Sequence, residues 1–117
     1  MVKRIGFSSD VAFSPAVKSV QHERGSRAAY GRMEQGGSWP VALTPDIKKF
    51  VESQTSVFFA TASADGQPYI QHRGATAGFL QVLDDRTIAF YNFAGNRQFI
   101  SVGNLSENSK AQLFLID

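Results

Sequence analysis

The sequence predicts a mainly β domain with short helices, an α+β arrangement whose antiparallel strands curl into a small barrel. Three observations carry that reading. A length of 117 residues suits one domain. Beyond residue 55, short runs of β-branched and aromatic residues recur between turns rich in aspartate and glycine. Those turns are tight enough for hairpins, so neighbouring strands run antiparallel. Frequent strands with interspersed glycines favour a barrel over a layered α/β fold.

The elements follow in order. Ser14-Pro15 is a hydroxyl cap followed by proline at the first helical position, so residues 15–23 are expected to be helical, with Ala16, Val17 and Val20 on one side. Gly25-Ser26 interrupts that helix, and Ala28-Ala29-Tyr30 can form a second short turn. Residues 34–40, centred on Gly36-Gly37-Ser38, read as a linker ending in Trp39 as an anchor. Thr44-Pro45-Asp46 repeats the start signal with an acid near the positive helix end. Ile47, Phe50 and Val51 then fall at i, i+3 and i+4, which makes residues 45–53 an amphipathic helix suited to lie on a sheet.

Strands are expected at residues 56–62, 69–73, 79–83 and 87–92. Asp65-Gly66 joins the first pair, because glycine accepts the positive φ of a tight turn, and Asp84-Asp85-Arg86 joins the second. A helix over residues 96–103 turns Phe99, Ile100 and Val102 or Leu105 inward. A polar connection leads to a fifth strand, residues 111–116, still running where the chain stops. That ending reads either as the first part of a longer domain or as a minimal form completing its sheet with a partner. The chain accordingly divides into a basic helical arm and linker, residues 1–40, and a sheet domain, residues 41–117, truncated in its pattern.

Composition excludes several chemistries. With no cysteine, thiolate catalysis, disulfides and cysteine-ligated metals are ruled out. His22 and His72 stand fifty residues apart, with no metal-binding spacing. No apolar run reaches the roughly 20 residues of a membrane span, and Met1-Val2-Lys3-Arg4 leads into no signal-peptide core, so a cytoplasmic protein is expected. Residues 1–35 carry six basic and three acidic side chains, a net of +3, against six and seven in the remainder. No aromatic interleaving accompanies the basic arm, which reads as a solvated surface rather than a nucleic-acid contact.

Two clusters could hold chemistry. At Tyr91-Asn92-Phe93-Ala94-Gly95-Asn96-Arg97-Gln98 a strand ends, small residues let the chain turn, and a helix begins beside an arginine. Amide donors at such a start can hold an anion, and Arg97 can add a bidentate phosphate contact. The other cluster is Gln71-His72-Arg73-Gly74. Gln71 and Arg73 share one sheet face, Ile70 and His72 the other. An unpaired buried arginine is too costly, so Arg73 is solvated, salt-bridged or turned to an anionic ligand. His72 is the candidate general acid or base. No nucleophile elbow, phosphate-binding glycine loop or convincing carboxylate pair is present, so function is expected to be carried by a ligand.

Residues 57–117 contain V-F-F-A-T-A-S-A-D-G-Q-P-Y-I-Q-H-R-G, then G-F-L-Q-V-L-D-D-R-T-I-A-F-Y-N-F-A-G-N-R-Q, then N-L-S-E-N-S-K-A-Q-L-F-L-I-D. This ensemble resembles the pyridoxamine 5′-phosphate oxidase-like flavoproteins, and more narrowly a bacterial branch described only as related to that oxidase or as FMN-binding. The N-terminal S-P-A-V-K-S-V-Q-H-E-R-G-S-R-A-A-Y-G-R-M resembles the arm of that branch. The resemblance implies an antiparallel split β-barrel, a homodimer, and FMN held in two clefts between subunits. It places Arg73, with Gly74 beside it, near the flavin. Tyr91 and Asn92 open, and Asn96, Arg97 and Gln98 close, the segment that contacts ribityl and phosphate. There Arg97 matches a phosphate-binding arginine, Asn96 replaces serine and Gln98 replaces lysine. Loss of that lysine exchanges a charge-assisted contact of roughly 1.5–3 kcal/mol for a neutral one of about 1, weakening binding by around tenfold.

The expected function is that of an FMN-dependent oxidoreductase acting on an unidentified small molecule. The alternatives are a structural dimerisation module with a degenerate cofactor cleft, or a small barrel binding single-stranded nucleic acid through Phe90-Tyr91 and the basic arm. Phe58, Phe59, Phe79, Phe90, Phe93, Phe99 and Phe114 populate both parities of several strands, more than a small barrel can enclose, so some are expected to meet a partner subunit.

Overall fold

The hydroxyl-proline signals place two helices where they stand in a computed structural model that describes residues 6–90 and 98–117. Helix α1 is Pro15–Arg24, and the Ser14 hydroxyl accepts from the Val17 amide at 3.2 Å. Gly25 ends it in the left-handed conformation, φ 86°. Helix α2, Arg27–Gln35, is longer than the short turn expected at residues 28–30. Helix α3 is Pro45–Ser53, with the Thr44 hydroxyl accepting from the Ile47 amide. The chain divides into two compact units, Met1–Ala42 and Leu43–Asp117.

The first unit has an unusual interior. Among its described residues the buried ones are Ser9 and Glu34, both polar. Lys18 reaches Asp10 at 2.8 Å and Glu34 at 3.6 Å, and Arg27 pairs with Glu34. Gln21 accepts from Arg27 at 2.8 Å. This network joins α1, α2 and the 3-10 turn Ser8–Val11. Residues 34–40, expected as a linker, are tied back to the same unit. Glu34 is helical and buried, the Ser38 hydroxyl accepts from the Ser9 amide at 3.0 Å, and Trp39 exchanges two hydrogen bonds with Ser8. Phe13 packs edge-on against Tyr30 and Trp39, each ring centroid 5.4 Å away. Ala16, Val17 and Val20 remain exposed.

The second unit holds the apolar core. Strands β1, Ser56–Ala62, and β2, Pro68–Gly74, form a hairpin around Gly66, whose φ of 92° only glycine adopts readily. β5, Ala111–Phe114, pairs antiparallel with the other edge of β1. β3, Leu80–Asp84, and β4, Thr87–Phe90, form a separate antiparallel pair. The order is β2-β1-β5 in one sheet and β3-β4 in the other. The expected barrel is therefore not closed among the described residues; the architecture is mixed, two sheets with helices. Val51, Val57, Phe79, Leu80 and Val82 make the core, with Leu43, Ile88, Phe90 and Leu113 packed on it.

Helix α3 lies on β3 as expected, although of Ile47, Phe50 and Val51 only Val51 is buried. Glu52 accepts from the Val82 amide at 3.0 Å and Lys48 donates to the Val82 carbonyl at 3.4 Å. These side chains cover backbone groups that an edge strand would otherwise leave open.

Helix α4, Ile100–Glu107, corrects the sequence reading most sharply. It begins late in the expected 96–103 span, at Ile100, and runs beyond it to Glu107; Phe99 before it has a positive φ of 55° that interrupts helical geometry. Its packed face is polar. Ser101 is buried against Gln71, Asn104 donates to the Thr61 hydroxyl at 3.0 Å, and Asn108 donates to the Ser63 carbonyl at 3.2 Å. Phe99, Ile100, Val102 and Leu105, expected inward, are exposed. The reason is the sheet face beneath, which presents Thr61 and Gln71. Stranding a buried polar group costs about 1–3 kcal/mol, as much as burying one aliphatic side chain gains. Three matched polar contacts therefore decide the helix's rotation.

Candidate functional site

Strand alternation builds the site. Val57, Phe59 and Thr61 of β1 form its buried face, and their register partners on β2 are Arg73, Gln71 and Tyr69. Arg73 thus stands half-buried on the inner face, beside a core side chain, where an ionised group needs a partner. None of the ion pairs among the described residues involves it. Its contact is with Gln71. With the amide oriented to satisfy both neighbours, the Gln71 oxygen accepts from Arg73 Nε at 3.1 Å and Nη2 at 3.2 Å, while its nitrogen donates to the Ser101 hydroxyl. Two of five guanidinium N–H groups are thereby engaged, and a planar cationic fork remains for an anion such as a phosphate.

His72 lies on the other face of the sheet. It is exposed, and its ring packs 5.2 Å from that of Phe58 at an angle of 55°. Within one chain the structure does not bring His72 and Arg73 together. Gly74 shares the His72 face. A Cβ there would meet His72 Cε1 at 3.4 Å and the Thr55 carbonyl at 3.5 Å, so space alone does not demand glycine. Gln98 is exposed just before α4. Tyr91, Asn92, Asn96 and Arg97 lie outside the described residues.

Sequence reasoning noticed that Gln71 shares a face with Arg73 but gave it no role, and it missed Ser101. The i, i+2 spacing of Gln71 and Arg73 carried the first signal. Ser101 gave none, because the apolar residues of its helix pointed to the opposite rotation.

The carboxylates elsewhere serve structure. The Val82 amide, then Lys48, holds Glu52 below the usual carboxylate range; the Ser63 hydroxyl does so for Asp65, and the Arg86 amide, then Thr87, for Asp84. In the first unit, Ala16, Val17 and Val20 with Gln21, Arg24 and Ser26 line a shallow apolar groove. No group of three or more histidine or carboxylate side chains gathers as a metal site among the described residues. No helix among them is long and apolar enough to cross a membrane.

The sequence pattern of the family described as pyridoxamine 5′-phosphate oxidase matches residues 43–117. The match starts at the residue where the second compact unit starts. No curated protein and no solved structure matches the chain significantly.

Proposed function

Because the chain belongs to the pyridoxamine 5′-phosphate oxidase family, we propose that it is an FMN-binding flavoprotein, a flavin-dependent oxidoreductase acting on a small molecule. The observation that carries this is Arg73: a half-buried guanidinium on the inner sheet face, held by an amide rather than a carboxylate. Its donor set fits a phosphate. A structural arginine in such a position would be expected to pair with a carboxylate. When bound, FMN supplies a two-electron acceptor and donor in its ring system. The chain's own part is to bind and orient. Arg73 neutralises anionic charge, and Arg97, by its place in the family segment, adds a second cation.

The same reading includes a split barrel of the branch related to the oxidase, acting in the cytoplasm as a homodimer with a cleft at each interface. The apolar residues left outside the core support the dimer: Phe58, Ile70 and Phe114 on the outer sheet face, and Ile100, Val102 and Leu105 on α4. A second reading, a dimerisation module with a degenerate cleft, draws on Gln98 standing where the family pattern has lysine.

The test is a flavin spectrum of freshly purified protein, followed by titration of the apo form with FMN. Fluorescence quenching at micromolar FMN supports the flavoprotein. A well-folded dimer that quenches nothing at tens of micromolar overturns it and favours the second reading.

A further inference from the structure

We propose that Gln71 and Ser101 form a positioning relay that aims the Arg73 guanidinium at its anion. The inference rests on the reading of Arg73 as an anion contact, but the relay is itself a property of the chain. Arginine on a strand has several rotatable bonds and no intrinsic aim. Here Nε and Nη2 both donate to one oxygen, at 3.1 and 3.2 Å, which fixes the plane of the fork. That oxygen belongs to an amide, and Arg73, which can only donate, takes the oxygen and leaves the amide nitrogen to find an acceptor. Ser101 supplies it. Its hydroxyl, buried on the packed side of α4, accepts from the Gln71 nitrogen and pins the amide at its far end, so the oxygen is held in place for Arg73.

The rotation of α4 supports the same conclusion from a different observation. The helix exposes Phe99, Ile100, Val102 and Leu105 while burying Ser101. A helix selected for packing alone would present those apolar residues to the sheet. Asn104 on Thr61 and Asn108 on Ser63 lock the rotation that places Ser101 over Gln71. An amide is also the right orienting group. A glutamate at position 71 would hold the guanidinium as firmly but cancel the charge that the anion needs.

The experiment has two arms, so that failure of the relay and failure of the flavin reading are distinct. In the ligand-free arm, the Arg73 Nε–H resonance, assigned through Arg73→Lys, is followed in the full chain. Slow exchange is expected in the native protein and in Ser101→Thr, and fast exchange in Gln71→Leu and Ser101→Ala. Unchanged protection in Gln71→Leu overturns the relay, with thermal melts confirming that each variant is folded. In the binding arm, Gln71→Leu weakens FMN about tenfold and leaves phosphate-free riboflavin within twofold. Gln71→Glu, which keeps the acceptor but adds a charge, weakens FMN while retaining slow exchange. Equal losses for FMN and riboflavin overturn the proposed action on the anion. Relay signatures in a protein that binds neither compound uphold the relay and sink the flavin reading.

Discussion

Arg73→Met separates a ligand contact from a structural one, because the first predicts a loss of FMN affinity at unchanged stability and the second a loss of stability. In the ligand-free protein the substitution removes a half-buried cation that has no carboxylate partner among the described residues. The lost contact with Gln71 is worth about 1 kcal/mol, and relief of the cation's desolvation offsets a similar amount. Methionine fills the same space opposite Val57 with an apolar stem. Stability in urea is therefore expected to stay within about 1 kcal/mol of the native protein. Binding behaves differently. A charge-assisted phosphate contact is worth about 1.5–3 kcal/mol, so the FMN dissociation constant rises by about 10- to 150-fold, with riboflavin nearly unaffected. Fluorescence-quenching titrations with both flavins, beside urea melts of the apo protein, read out each half. A change in FMN affinity below threefold, or a stability loss above about 2 kcal/mol with both flavins weakened alike, would refute the reasoning.

Three further outcomes follow from the packing. Leu80→Ala opens a cavity among Val51, Val57, Phe79 and Val82 and is expected to cost about 3 kcal/mol, which calorimetry reads as a fall in Tm of about 12–24 °C. Glu52 has a folded-state pKa below its ordinary value, so its contribution to stability is complete above the ordinary range near pH ~4.3 and is lost as pH falls through the folded value. Urea midpoints measured between pH 5 and 3 should fall less steeply in Glu52→Gln; an unchanged slope would show that the contact with Val82 contributes nothing. Glu34→Ala leaves Arg27 and Lys18 without their shared carboxylate, at a cost of about 3 kcal/mol to the first unit. Amide exchange should then accelerate in residues 6–42 while β1 and β3 keep their protection.

The sequence was most informative where backbone chemistry acts locally. Caps at Ser14 and Thr44, the Asp65-Gly66 turn and the alternation of β1 each depend on neighbours within a few residues, and each stands where the pattern put it. The misreadings share a different cause. Residues 34–40 read as a linker because Gly36-Gly37-Ser38 stands at their centre, yet Ser38 and Trp39 are tied to Ser8 and Ser9 some thirty residues away. No local pattern contains that information. Helix α4 failed for the same reason: its rotation is set by Thr61, Ser63 and Gln71, far away in sequence. The candidate site follows this division. Arg73 and its face were legible from strand parity, whereas its support from α4 is a tertiary fact.

The phenylalanines make the same point at the level of assembly. Phe59 and Phe79 are buried, and the Phe59 ring meets Phe90 edge-on at 5.2 Å. Phe58 and Phe114 belong to the other parity, with rings 6.3 Å apart, and Phe114 is 56% exposed. One face of the three-stranded sheet thus carries core and candidate site, and the other carries Phe58, His72, Ile70 and Phe114. A solvated sheet face ordinarily alternates to polar side chains. Here the alternation runs from apolar core to a largely apolar surface, on which His72 and Gln112 are the polar side chains opposite Phe58 and Ala60. Such a face has a thermodynamic reason to be covered, and a second copy of this chain is the occupant proposed. Burial would come mainly from apolar area, so the dimer should persist in high salt. Replacement of Ile70 or Phe114 by lysine should split it. A dimer lost on adding salt and indifferent to Ile70→Lys would place the interface elsewhere.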